Sequence, residues 1–322
     1  MKPHIDPKVD YVFKLLLGSE QHKNLLIHFL NAVFAKESDM RIQEVTLLNP
    51  FNERASQRDK LSIVDVKARD DSGRWYQIEI QVLNHAGLAS RMLYMWSTIY
   101  HRQLKKGQDY AQLQPVIAIW ILNEPLFKQD ELSPHLSFVP WNIEHNLLLS
   151  KDMRFEILQL PTWSEDSAAL NELDRWFYFF REGEEADTED LPDFLQSEEM
   201  KEAVHVLQEI SESDREYMIY LERLDAQFLE ATKRREQEEA TRKMQEAMHQ
   251  TKIAEHKAET AEHRAETAEH RAETAEHRAE TAEHKAETAE HRFKTAEHKA
   301  KILEQEKERL AALLREMGVD PE

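Results

Sequence analysis

The chain has 322 residues, 41% of them hydrophobic, and a formal net charge of −20. That length allows two domains. The absence of cysteine excludes a disulfide framework, cysteine-ligated zinc and a cysteine nucleophile. The first eight residues lack the apolar stretch of a signal peptide, and the longest apolar run, Val116 to Leu122, falls far short of the ~20 residues of a membrane helix. A soluble, cytoplasmic protein with no membrane partner is expected.

Asp10 to Phe34 reads as a helix, with apolar residues at 12, 13, 15, 16, 25, 26, 29, 30 and 33 and an interruption near Gly18-Ser19. Arg41 to Leu48 is a strand candidate. Two alternating stretches follow, running up to Asp70 and on from Arg74 to Gln81, around the turn Asp71-Ser72-Gly73. A three-residue hairpin loop with Gly last is a favoured connection, and it pairs Asp70 with Arg74. Counting back along the ladder sets Asp65 opposite Glu79. Ile63, Asp65 and Lys67 then share one face with Gln77, Glu79 and Gln81, while Val64, Val66, Ile78 and Ile80 form an apolar face for the core. Opposed carboxylates stand roughly 5 Å apart at Cβ and repel. A divalent cation removes that repulsion, because it takes carboxylate and carbonyl oxygens as ligands. A solvated polar face is the plainer reading of the same pattern.

Gly87 to Leu104 is a second amphipathic helix that ends near Gly107. Pro115 to Leu122 is a strand apolar on both faces, as in the middle of a covered sheet. His135 to Val139 and Met153 to Leu160 read as further strands, and Leu170 to Phe180 as an aromatic-rich helix. Glu182 to Glu189 is an acidic loop, and Glu198 to Ala231 is helical with weaker hydrophobicity. From Ala254 the triplet Ala-Glu-His recurs at 254, 261, 268, 275, 282, 289 and 296, a heptad period. Ala254 takes position d and Ala258 position a, so Glu255 is e, His256 is f and Lys257 is g. Lys257 has no acidic residue three or four positions away, whereas Glu262, five on, is the e position that a parallel partner presents to g. A parallel homo-oligomeric coiled coil is expected, with an alanine seam of little apolar area. Phe293, Leu303, Leu310, Leu314 and Met317 keep the register and offer a firmer clasp. The seven f-position histidines lie about 10 Å apart along the axis, so no two in one helix share an ion.

The ordered motifs carry a resemblance. Asp65, then Glu79-x-Gln81 across a hairpin, resembles the PD-(D/E)xK nuclease superfamily, with Gln81 where most members have Lys. The context resembles the Rpn family of recombination-promoting nucleases and transposase-like proteins. It runs through Asp10-Tyr-Val-Phe-Lys14, Asp59-Lys60, Asp65-Val66, Ile78-Glu-Ile-Gln81, Arg91 before Tyr94 and Tyr100, and Gly107-x-x-Tyr110 before Pro115-Val-Ile-Ala-Ile. The resemblance implies an α/β, restriction-endonuclease-like core of helix, three strands, helix and strand, followed by a helical region and the heptad coiled coil. It implies a Mg²⁺-dependent DNA endonuclease, with another divalent cation as the option. Asp65, Glu79 and Gln81 are the catalytic residues, Asp65 and Glu79 the metal ligands together with the Ile80 carbonyl, and Asp10, Lys60 and Lys67 accessory candidates. Asp10 and Lys14 also read simply as a surface ion pair, and Arg91, on one helix face with Tyr94, reads either as core packing with its charged head at the surface or as a DNA contact.

The charge distribution bears on the DNA partner. Residues 1–130 hold 17 Lys and Arg against 15 Asp and Glu, a net of +2, while the remainder holds 25 against 47, a net of −22. This leaves room for weak, salt-sensitive, largely non-specific DNA binding by the N-terminal part. The expected domains are a nuclease domain over 1–180, an acidic, mostly helical linker over 181–235 and a long helix or coiled coil over 236–318. The alternative is a non-catalytic interaction protein, a degenerate nuclease-like domain on a coiled-coil stalk.

Overall fold

A computed structural model describes residues 4–49, 51–52, 62–63, 65–129, 131–165, 170–186, 191–316 and 318. Asp59, Lys60, Val64 and Met317 lie outside the described residues. The chain divides into two units, Met1–Arg235 and Glu236–Glu322.

The first unit is built on a mixed six-stranded sheet. Helices α1 (Asp10–Gly18) and α2 (Lys23–Val33) precede strand β1 (Val45–Leu47). The short pair β2 (Phe51–Asn52) and β3 (Ser62–Ile63) stands apart from the main sheet. Strands β4 (Val66–Asp70) and β5 (Trp75–Gln81), helix α3 (Leu88–His101) and strand β6 (Val116–Leu122) follow. Leaving that short pair aside, these elements run two helices, three strands, helix, strand, the expected single first helix being broken in two after Gly18, and the crossover through α3 makes β5 and β6 parallel. Strands β7 (His135–Phe138), β8 (Trp141–Asn142), β9 (Leu147–Leu148) and β10 (Met153–Gln159) complete the strands. The sheet order is β1-β4-β5-β6-β10-β7.

The hairpin has the register that the turn dictates. Val66 pairs with Ile78, Lys67 with Gln77, Ala68 with Tyr76 and Arg69 with Trp75. Gly73 closes the turn at φ 91°, a conformation that costs glycine little. Asp70 holds it from inside: its carboxylate accepts from Ser72 Oγ, the Arg74 backbone N–H, Arg74 Nε and the Tyr76 hydroxyl.

Both faces of the sheet are covered. On one, Val66, Ile78 and Ile80 join α1, α2, α4 (Glu172–Glu182) and α5 (Glu198–Glu212) in a single apolar core. On the other, Leu88, Met92, Met95 and Ile99 of α3, spaced at helical intervals, pack on Ala118, Trp120 and Leu122. This double cover explains why every residue of β6 is buried. It also buries the polar face of β5, where Gln77 and Glu79 are as hidden as their apolar neighbours. Gly18 ends α1 where a Cβ would come within 3.2 Å of Val66 Cγ2, so the helix presses directly on the first hairpin strand.

The stretch read as a linker supplies Met200, Ala203, Val204, Leu207 and Ile210 to the same core. Its helical part breaks at Ser213, whose backbone is extended at φ −93° and ψ 110°. The Ser213 hydroxyl accepts from the Glu216 N–H and caps the start of α6 (Asp214–Glu316). The second unit is helical through Glu316, with the threonines of its repeat bonding back to the histidine carbonyls four residues earlier, as Thr260 does to His256. No described helix is long and apolar enough to cross a membrane.

Candidate active site

The site forms at the C-terminal end of β5. Strand alternation turns Glu79 and Gln81 to the α3 side of the sheet, and the hairpin register brings Asp65, just ahead of β4, beside Glu79. The contacts are direct. The Asp65 backbone N–H donates to Glu79 Oε1 at 3.3 Å, and the Ile80 N–H donates to Asp65 Oδ2 at 3.1 Å.

Three carboxylates are buried among the described residues: Asp70, Glu79 and Glu156. Two of them are paired with cations. Asp70 has Arg74, and Glu156 is held by Arg154, His135 and Ser137. Glu79 differs. It is 2% exposed, and its nearest charged neighbours are another carboxylate, Asp65, and an arginine nitrogen 4.0 Å away on Arg91. Burial raises the Glu79 pKa well above the ordinary range and the Asp65 charge raises it further, against the lowering effect of Arg91. Burial also raises the Asp65 pKa, although Lys14 and the Ile80 N–H pull it down. Two desolvated carboxylates that share one place favour a cation between them.

The donor set fits a hard divalent ion. The described residues form no group of three or more His, Cys, Asp or Glu side chains around one metal position. A pair of carboxylates completed by water suits Mg²⁺, which binds through one or two carboxylates and keeps several waters.

The other expected residues fall in distinct places. Lys14 of α1 stands between Asp10 and Asp65, with Nζ 3.4 Å from Asp10 Oδ2 and 3.2 Å from Asp65 Oδ1. Asp10 therefore reaches the site through a lysine. Lys67 lies over the Trp75 ring, 5.4 Å from its centroid, one sheet position further from Asp65. Lys60 lies outside the described residues. Gln81 donates from Nε2 to the Leu83 carbonyl at 2.6 Å, and its Oε1 accepts from Arg91 at 3.0 Å.

Two cations stand at the site beside the expected catalytic residues: Lys14, read from the sequence as the ion-pair partner of Asp10, and Arg91, read as either core packing or a DNA contact. Asp10 and Lys14 do show a helical four-residue spacing, but spacing alone does not reveal that Lys14 faces a strand fifty residues later. Arg91 sits in the first turn of α3, close to the chain entering from Gln81, and that sequence proximity was the available signal.

A family model described as PD-(D/E)XK nuclease family transposase matches residues 7–231. No curated protein and no solved structure matches the chain. The chain belongs to the PD-(D/E)XK nuclease family transposases.

Proposed function

We propose that this protein is a divalent-cation-dependent DNA endonuclease of the recombination-promoting, transposase-like type. The observation that carries the reading is Glu79, a buried carboxylate set beside a second carboxylate and 4.0 Å from its nearest cation, Arg91, whereas the other buried carboxylates among the described residues, Asp70 and Glu156, each hold a cation at hydrogen-bond distance. Asp65 and Glu79, with the Ile80 carbonyl, would hold Mg²⁺ or a similar ion, which would supply charge stabilisation at the phosphate and lower the pKa of a water. The chain's own groups set the frame. The Ile80 N–H orients Asp65, Gln77 Nε2 and the Asp65 N–H orient Glu79, and Lys14 balances the charge on the α1 side. In the reaction, water oxygen attacks phosphorus and loses a proton to a site carboxylate. The opposite P–O ester bond breaks, and the departing oxygen takes up a proton from solvent.

We further propose that the heptad repeat pairs two or more copies in parallel. Its support is the g-to-e charge spacing and the exposure of Phe293, Leu303 and Leu310 on the helix. The domain limits that follow are a catalytic part within residues 1–180, a helical extension over 181–235 and the pairing segment over 236–318.

Incubation of supercoiled plasmid with the purified protein tests the activity. Conversion to nicked or linear DNA is expected with Mg²⁺ and not with chelator. No conversion under any divalent cation overturns the nuclease reading and favours a non-catalytic interaction protein.

A further inference from the structure

The superfamily motif places a lysine where this chain has Gln81, so the site lacks a cation at its third motif position. An amide brings no positive charge. Both ends of the amide are also already engaged by the protein. Nε2 donates to Leu83 and Oε1 accepts from Arg91. One of the two groups that Gln81 holds is thus a cation, Arg91.

Arg91 is held on three sides. Its Nη1 donates to Gln81, its Nη2 stands 4.0 Å from Glu79 Oε2, and its guanidinium lies 5.7 Å from the centroid of the Trp120 ring. Its backbone is fixed as well, because the Arg91 N–H donates to the Gly87 carbonyl in the first turn of α3. Yet 41% of the side chain is exposed, and of the five guanidinium N–H donors one is bonded to Gln81. Lys14, the other cation, has both acidic neighbours within ion-pair distance, Asp10 and Asp65. A guanidinium carries five donors in a rigid fork that matches two oxygens of a phosphate, and a pinned one loses little entropy on binding.

We propose that Arg91 is the phosphate-binding cation of this site and that Gln81 is the residue that positions it. The positive charge common at the third motif position has moved from strand β5 to helix α3. Arg91 contacts the non-bridging oxygens of the DNA phosphate beside Glu79. This rests on the nuclease reading above and adds the residue that grips the substrate.

The test uses full-length protein and a short fluorescein-labelled DNA duplex, with Ca²⁺ replacing Mg²⁺ so that binding is read without cutting. Anisotropy titrations across a salt series give the slope of log K against log salt. Arg91→Gln should flatten that slope by about one unit, the loss of one phosphate contact. Arg91→Lys should keep most of the slope. In Mg²⁺, Arg91→Gln should lower the rate of plasmid nicking roughly 10²–10³-fold. Gln81→Lys alone sets an ammonium against the guanidinium and should also be slow. The double variant Gln81→Lys/Arg91→Gln returns a cation to the strand and should exceed both single variants. A merely structural arginine gives a different result: a changed melting temperature, an unchanged salt slope and no recovery in the double variant. That result overturns the assignment while leaving the nuclease reading in place. If the parent protein neither binds nor cuts DNA, the nuclease reading fails and this assignment fails with it.

Discussion

At the scale of single residues, charge placement carries the argument. Asp65 and Glu79 repel in a metal-free site, so neutralising one should stabilise the fold. Glu79→Gln keeps the oxygen that accepts from Asp65 N–H and removes the charge. The folded-state pKa of Glu79 is raised, so the stability it contributes is present below the ordinary value of 4.5 and is lost as pH rises through the folded value. At neutral pH in chelator, Glu79→Gln should therefore melt higher by a few degrees, about 2–4 °C per kcal/mol relieved. A lower melting temperature than the parent's would count against the repulsion. Lys14→Met removes the cation against Asp65 and should destabilise metal-free protein by about 1 kcal/mol, a value discounted because the ammonium is partly exposed. Chemical denaturation in chelator measures this, and an unchanged midpoint would show that the ion pair is inert. The carboxylate pair was legible in the sequence because strand alternation and one turn length suffice to place it. Lys14 and Arg91 were not, because their positions depend on how two helices lie against opposite faces of the sheet, and no local period records that.

At the scale of elements, the hairpin is the piece that sets the site. Its register follows from the turn, and the turn follows from Asp70 and Gly73. Burial raises the Asp70 pKa, but hydrogen bonds from Ser72, Arg74 and Tyr76 and the Arg74 charge outweigh it, so the carboxyl titrates below its ordinary range. A lowered folded-state pKa contributes stability above 3.8 that disappears as pH falls through the folded value. Asp70→Asn should cost about 2–3 kcal/mol at neutral pH, from lost charge-assisted hydrogen bonds. The gap between parent and variant should close in acid. Urea unfolding of both proteins along a pH series is the measurement, and a pH-independent gap would place the cost elsewhere than in the charge. Other elements show what sequence patterns reach. The buried run of β6 and the Gly18-Ser19 interruption were readable from apolar content and a helix breaker. The halt at Ser213 was harder to read, because no Gly or Pro marks it and the serine acts as a cap. The burial of Gln77 and Glu79 was hidden for a related reason. A polar face looks solvated until α3 is laid across it.

At the scale of the whole molecule, the two units invite separate tests. Truncation after Arg235 removes the second unit and should leave a folded protein with a lower association state. Analytical ultracentrifugation of the full chain and the truncated chain at neutral pH decides this. Equal association states would leave the repeat as an unpaired helix, since an alanine seam has little apolar area to offset the entropy of association. The claim on which everything else depends is that Asp65 and Glu79 form one cation site. It is tested most directly by the melting temperature of the parent, Asp65→Ala and Glu79→Gln proteins as Mg²⁺ is added to metal-free samples. A ligand that binds only the folded state stabilises it by about 2.7 kcal/mol at a hundredfold excess over its dissociation constant. The parent should therefore gain on the order of 5–10 °C as the site fills, and neither variant should respond. A parent protein indifferent to Mg²⁺, or variants that gain as much as the parent, would contradict the assignment of this site.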